Sequence, residues 1–400
     1  MASTPEAIHF TGHIAFAQRL ALSTLTGRPV VISQIRNSSP THPGLAPHEV
    51  SFLRLLDTVT NGSSMQISLT GTRITFHPGL ITGAIDGVGA IDGDLVEHRI
   101  EANNNRGVTY FLLPICLLAP FSKGHMNIRF TGPGVITSAT ETGDISVDTF
   151  RTSILPLFGL FGIPPARIEL RIITRSCAGK NGRGGGGVVE LRFASQVRLP
   201  KTLHLNRSDG RIRRIRGVAY CTGVSASSNN RMIQAAREIL NPLVPDINIA
   251  AQYDTAPLVA DKNGDKRRTG IGFGLSLVAE SSSIGVIYSA DVPAPPHGGV
   301  IPEDIGKQCA YQLLESISTG GCVSKEAVPT VLTLMAMGSE DIGRVRLSKG
   351  AITPEFVRLA RDLKQFGGSA WGIRPVDDES DDLVVSVKGF GVGNVARKVA

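Results

Sequence analysis

Cysteine is scarce and scattered. Cys116, Cys177, Cys221, Cys309 and Cys322 are odd in number and form no CxxC pair, so neither a disulfide framework nor a zinc site is indicated and a reducing compartment is expected. Long apolar runs are missing too. The most apolar stretch, 111–121, is short and broken by Pro114 and Pro120, which argues against a membrane-spanning helix. The opening MASTPEAIHFTG lacks the charged and apolar regions of a signal peptide, so a soluble nuclear or cytoplasmic chain is expected. Charged residues make up 19% and hydrophobic ones 42% of the 400 residues. That balance argues against general disorder and allows one large or two to three ordinary domains.

Familiar chemical motifs are also lacking. Gly179-Lys180 is followed by Asn181 rather than Ser or Thr, so there is no phosphate-binding P-loop. Gly270-Ile271-Gly272-Phe273-Gly274 and Gly389-Phe390-Gly391-Val392-Gly393 sit in apolar alternating patterns and read as glycine-bearing strands. Of the nine histidines only His9 and His13 are four apart, and they straddle a strand end and turn, so no metal site is expected. The acidic run from Asp377 to Asp382 reads as a solvated turn between two strands. No partner pattern singles out a serine nucleophile.

What is present in excess is positive charge, +7 overall, concentrated between Arg167 and Arg216. Arg207, Arg211, Arg213, Arg214 and Arg216 form its densest part, and a polyanion or an acidic protein segment fits it as well as a solvated strand edge does. A regular strand there would put Ile212 and Ile215 on opposite faces unless a bulge intervened. No aromatics are interleaved, which disfavours base stacking on single strands. Upstream, Gly184, Gly185, Gly186 and Gly187 run into the strand Val188–Phe193, preceded by Arg175, Lys180 and Arg183. Such a run lets the backbone lie close to a neighbouring strand or to an anion, and both readings stay open.

In chain order, a strand at Ile8-His9-Phe10 is followed by a helix stopped by Gly27, and a strand at Val30-Val31-Ile32 by a helix through Val59. A hairpin, 65–69 and 73–76, then closes the unit. The order β-α-β-α-β-β returns with strand 95–100, helix 108–118, strand 126–130, helix 147–161 stopped by Gly162, and strands 168–172 and 188–193. A third copy is expected to start at strand 284–289, a strand that could equally belong to the inserted domain. It continues through helices 303–317 and 331–337, strand 344–347, a helix capped by Thr353-Pro354 and closed by Gly367-Gly368, and a last hairpin 371–373 and 383–387. These expectations describe an α/β protein with three βαβαββ units in one large domain, 1–194 and 294–400. A small α/β domain, 195–293, is inserted, with Asp261–Arg268 as its polar hairpin tip.

This arrangement resembles the RNA 3′-terminal phosphate cyclase superfamily. Leu22-Ser23-Thr24-Leu25-Thr26-Gly27-Arg28-Pro29-Val30, Ile35-Arg36 and His42-Pro43-Gly44-Leu45 look like its N-terminal unit, and Gly185-Gly186-Gly187-Val188-Val189 like its glycine-rich strand. Phe111-Leu112-Leu113-Pro114, Leu117-Leu118-Ala119-Pro120-Phe121 and the stretch 332–341 resemble its cyclase-like branch. Family enzymes carry AMP on a histidine in the last unit. The region matched to it, 320–329, has none, and Lys325 falls near the expected place. Thr11-Gly12-His13-Ile14-Ala15-Phe16-Ala17 and Pro47-His48-Glu49 depart from the family's polar walls. The resemblance therefore implies a catalytically inactive member, with no cofactor. It also implies a nucleolar factor of the small-subunit processome, needed for 18S pre-rRNA processing and docked to a ribosome-assembly GTPase. Its RNA or partner contacts are expected from Lys180, Arg183, Arg207, Arg211, Arg213, Arg214 and Arg216. Rival readings are a pre-rRNA endonuclease using Lys325 and Glu326, and an active cyclase using Lys325.

Overall fold

A computed structural model describes residues 6–84, 90–194, 196–260, 264–367, 370–377 and 381–391. Ser195 at the expected domain boundary, Asp261 to Asn263 of the polar loop, Gly368, Asp378 to Ser380 of the acidic run, and Val392 and Gly393 lie outside the described residues.

The fold is mixed α/β, and three of its sheets share one strand order. In the first, Ile8–Thr11 runs parallel to Val30–Ser33, which pairs antiparallel with Ile74–His77, and that strand with Ser64–Ile67. In the second, which carries Ala90–Asp92 as an additional outer strand on Leu95–Arg99, Leu95–Arg99 runs parallel to Met126–Thr131, then come Val188–Phe193 and Ile168–Thr174, both antiparallel. In the third, His204–Leu205 runs parallel to Ile342–Ser348, followed by Asp382–Lys388 and Trp371–Pro375. Alternating apolar residues bury one face of each sheet, and helices cover it. The helix Phe16–Thr26 buries Leu20, Leu22 and Leu25 and ends at Gly27, whose φ of 68° supplies the left-handed cap. The helix Thr109–Leu118 is apolar almost all round and buried on nearly every side, packed on Phe16–Thr26 and Val328–Met337.

A fourth sheet has the order Ile247–Asp254, Ile212–Thr222, Gly272–Ser281, Ile287–Pro293. Here the structure departs from expectation. Strand 284–289 does not open the third unit, because Ile287–Pro293 pairs with Gly272–Ser281. The strand in that role is His204–Leu205, two residues long and too short to carry a periodic signal. The helix Pro302–Ser318 likewise packs on Ser227–Leu240 and on the fourth sheet. A Cβ on Gly306 would fall 2.4 Å from the Met232 carbonyl oxygen, so glycine permits the close helix crossing. Residues 147–161 form no single α-helix. An α turn (Val147–Thr149) opens into a π turn (Phe150–Ile154) and then a 3-10 stretch (Leu155–Phe161), because Pro156 has no N–H to give and its ring crowds the carbonyl four residues back.

Candidate functional site

A cleft of about 860 Å³ is lined by residues from 13–49, 105–145 and 325–356. Its polar wall starts at Arg36, in the loop after Val30–Ser33. Gln34 and Arg36 both hold positive φ, 56° and 43°, a conformation that costs a non-glycine residue about 1 kcal/mol or more. The surroundings impose it. The Arg36 guanidinium donates to both Glu49 carboxylate oxygens, at 2.7 and 2.8 Å, and to the Gly44 carbonyl at 3.0 Å. Glu49, buried, also accepts the Ala46 N–H at 2.8 Å and so closes the first turn of the helix Pro47–Val59.

The opposite wall repeats the device. Arg106 donates to Asp144 at 2.7 and 2.5 Å. Asp144 also accepts the Gly107 N–H at 2.8 Å and the hydroxyls of Thr140 and Thr142 at 3.2 Å. The Arg106 guanidinium lies 4.4 Å over the Tyr110 ring, and His48 meets that ring edge-on at 5.1 Å. Burial opposes the charge on Arg106, but the hydrogen bonds and field of Asp144 prevail and hold it more firmly protonated than usual. Burial pushes the Tyr110 hydroxyl well above its ordinary range. Burial also draws His48 down to about 4, with Arg106 and Arg36 adding to the effect against the opposing pull of Glu49. His13 shifts the same way, through burial and then Arg36. In all, three cations of the lining, Arg36, Arg106 and Lys325, meet four carboxylates, Glu49, Asp144, Glu326 and Glu355.

The RNA 3′-terminal phosphate cyclase family model matches residues 8–373. The chain belongs to this family. Similar family members include the RNA 3′-terminal phosphate cyclase-like protein of Homo sapiens, 37% identical over 406 residues and 99% of both chains. The rRNA processing protein RCL1 of Saccharomyces cerevisiae is 36% identical over 100% of this chain and 99% of its own length. The rRNA processing protein rcl1 of Schizosaccharomyces pombe is 35% identical over 99% of both. The names of these relatives mark a cyclase-like branch of the family.

Within this family fold the residues singled out from sequence scatter over several places. Lys325 is exposed on the rim of the cleft, with the half-buried Glu326 beside it. Lys180 and Arg183 are exposed in a turn ahead of the glycine run. That run packs against protein: a Cβ on Gly185 would fall 2.1 Å from the Val135 carbonyl oxygen, and the Gly187 N–H donates to that same oxygen at 3.1 Å. Of the arginine stretch, Arg214 is bound by Glu280 across the sheet at 2.5 Å and Arg216 by Asp246 at 2.8 Å. Arg207, Arg211 and Arg213 have no ion pair among the described residues. A register shift between Ile212 and Arg214 is the bulge that lets Ile212 pack on the core while Ile215 is fully buried. The two basic segments do not meet along the strand Ile212–Thr222. Cys177 lies against Gly272, which pairs with Thr222, and Arg211 lies at the other end, roughly 35 Å away at about 3.3 Å per residue.

Sequence reasoning missed the two arginine–carboxylate pairs and the placement of His48 and Tyr110. Only Glu49, three residues into a helix that begins with proline, carried a local signal. Among the described residues no group of three His, Cys, Asp or Glu side chains is placed to hold a metal, and no helix is long and apolar enough to cross a membrane.

Proposed function

We propose that the chain is a non-catalytic rRNA-processing factor built on the cyclase fold. It acts in small-subunit ribosome assembly in the nucleolus, supports 18S pre-rRNA maturation and docks an assembly GTPase. The observation that carries the loss of catalysis is the charge of the cleft. Both arginines are held bidentately by carboxylates and acids outnumber bases, so a nucleotide phosphate or an RNA end would meet net negative charge. The names of the relatives, rRNA processing proteins among them, support the role in assembly. Contact with RNA or an acidic partner then falls to the outer surface, at Arg207, Arg211 and Arg213 and separately at Lys180 and Arg183. In domain terms we take 1–194 and 294–400 as the large unit and 195–293 as the insert. The helix Pro302–Ser318 packs on that insert, and His204–Leu205 pairs back to the large unit.

Incubation with labelled ATP and a 3′-phosphorylated RNA is expected to give neither a covalent AMP adduct nor a cyclic end, and purification from nuclear extract to bring down pre-ribosomal RNA. An adduct would overturn the reading. Residual nucleotidyl transfer draws on one observation: His48 is a neutral imidazole in the cleft and its Nδ1 is buried without a partner among the described residues. An adduct abolished by His48→Ala would establish that reading, and one abolished by Lys325→Ala would establish the lysine route.

A further inference from the structure

A second pocket, about 630 Å³, lies where the loop 139–145, the strand Ile287–Pro293, the helix Pro302–Ser318 and the segments 319–326 and 348–351 meet. Three buried polar atoms of its lining have no hydrogen-bond partner among the described residues: Asp291 Oδ1, Ser289 Oγ and Ser324 Oγ. Ser289 and Ser324 are 6% and 4% exposed. Their convergence follows from the backbone. Ser289 and Asp291 are two apart on one strand and share a face, while Tyr288, Ala290 and Val292 turn the other way into the core. A parallel bridge between Ile287 and Val323 lays Ser324 alongside that strand. The other oxygen of Asp291 is fully used, accepting the Ser146 N–H and the Thr149 hydroxyl, both at 2.7 Å. These bonds fix the carboxylate and leave Oδ1 as its vacant acceptor.

A buried acceptor without a donor costs about 1–3 kcal/mol, and such groups in native proteins call for a reason. The surrounding charge says what would fit. Apart from Asp144, which is held by Arg106, the lining carries Asp291, Glu315 and Glu326 against one cation, Lys325. Gln312, Glu315 and Ser316 project from successive turns of the helix Pro302–Ser318 as a polar wall. This acidic, acceptor-rich pocket in a chain of net charge +7 is unsuited to a phosphate. It lacks the clustered ligands a metal needs, since no such trio exists among the described residues. We propose that it binds an organic cation, an ammonium or guanidinium group whose N–H donors meet Asp291 Oδ1 and the hydroxyls of Ser289 and Ser324. The site adjoins the cleft, sharing Asp144, Lys325 and Glu326 with its lining, and does not depend on the processing role argued above.

The test is isothermal titration of the full chain at neutral pH with three probes: spermidine, acetyl-lysine methylamide and acetyl-arginine methylamide. Saturable one-site binding of at least one probe is expected, weakened tenfold or more by Asp291→Asn and severalfold by Glu315→Gln, with inorganic phosphate failing to compete. Binding by spermidine alone identifies a free polyamine as the ligand class. Binding by either amide identifies a basic side chain presented by a partner. Ser324→Ala, on the pocket wall, serves as a second reporter should Asp291→Asn not fold. No binding by any probe, or binding unchanged in folded Asp291→Asn or Ser324→Ala protein, overturns the proposal and leaves the orphan atoms to water.

Discussion

Glu49 can be used to ask whether paired charge is what closes the cleft to phosphates. Glu49→Ala removes the carboxylate from beneath Arg36 and the acceptor of the Ala46 N–H together. Breaking a buried pair by deleting one partner costs about 3–5 kcal/mol, and the Arg36 side chain, 19% exposed, places the loss near the lower end. The lost helix cap adds about 1 kcal/mol. A total near 4 kcal/mol corresponds to a fall of roughly 10 °C in Tm for a unit of this size. Glu49→Gln keeps an acceptor for the helix and removes only the charge, so roughly half that loss is expected. The glutamine variant also frees a guanidinium and brings the cleft from net negative to neutral. Unit charges about 6 Å apart at an effective dielectric of about 20 interact by about 3 kcal/mol, and salt reduces this by half or more. Pyrophosphate should therefore bind Glu49→Gln about tenfold more tightly than wild type in titration calorimetry at about 0.1 M salt. Equal affinity in the two proteins, with the variant folded, would refute the reasoning.

His98 is 7% exposed and hydrogen-bonded to the Ser51 hydroxyl at 2.9 Å, and burial, assisted by Arg54, draws it down to about 4. Its folded value lies below the unfolded 6.5, so the unfolded chain binds the proton first. The stability it supplies is complete above about 6.5 and is lost as pH falls towards 4, about 3 kcal/mol in all. Urea midpoints for His98→Gln should vary less over that window than those of wild type. At the glycine run, Gly185→Ala should lower Tm more than Gly184→Ala. The first drives a Cβ into the Val135 carbonyl, whereas the second meets nothing closer than 3.7 Å and suffers mainly from its φ of 75°, a difference of about 1–2 kcal/mol. On the arginine strand, Arg211→Glu with Arg213→Glu should weaken RNA binding and flatten its salt dependence. Arg214→Gln with Arg216→Gln should change it little, because Glu280 and Asp246 already neutralise those side chains. Equal losses in the two double variants would show that the ion pairs open to bind RNA.

The parts of the fold that could be read from sequence are those written in local periodicity. Ile74–His77, with Ile74 and Phe76 buried and Thr75 and His77 half-exposed, is one case, and the helix Phe16–Thr26 with its terminal glycine is another. The helix over 147–161 misled because its apolar spacing survives into the 3-10 stretch, where Pro156 has already changed the hydrogen bonding. Strand His204–Leu205 could not be found, since two residues define no period. The site was less legible for a related reason. Arg36 meets Glu49 thirteen residues on, Arg106 meets Asp144 thirty-eight on, and Asp291 reaches back to Ser146. Each pair is assembled by sheets whose packing no local pattern records.

The same geometry explains why net charge alone misdirects a functional reading of this chain. A value of +7 invites placing the polyanion in the largest cleft, but there each guanidinium is already held by a carboxylate. The excess positive charge therefore resides on the exterior, and within the arginine stretch it narrows to the members that no acid among the described residues reaches. Arg211 lies just ahead of the bulge and Arg213 within it, and a bulge re-aims side chains relative to the pleat. The irregularity that seats Ile212 on the core thus leaves Arg213 exposed and unpaired among the described residues, so burial of one residue and presentation of the next share a single backbone cause. Deleting Arg213 to restore a regular strand should consequently cost both stability, through Ile212, and RNA affinity, whereas Arg213→Gln should cost only the second. Thermal melts and salt-dependent RNA titrations of the two variants separate these effects, and a deletion that leaves Tm unchanged would break the link between them.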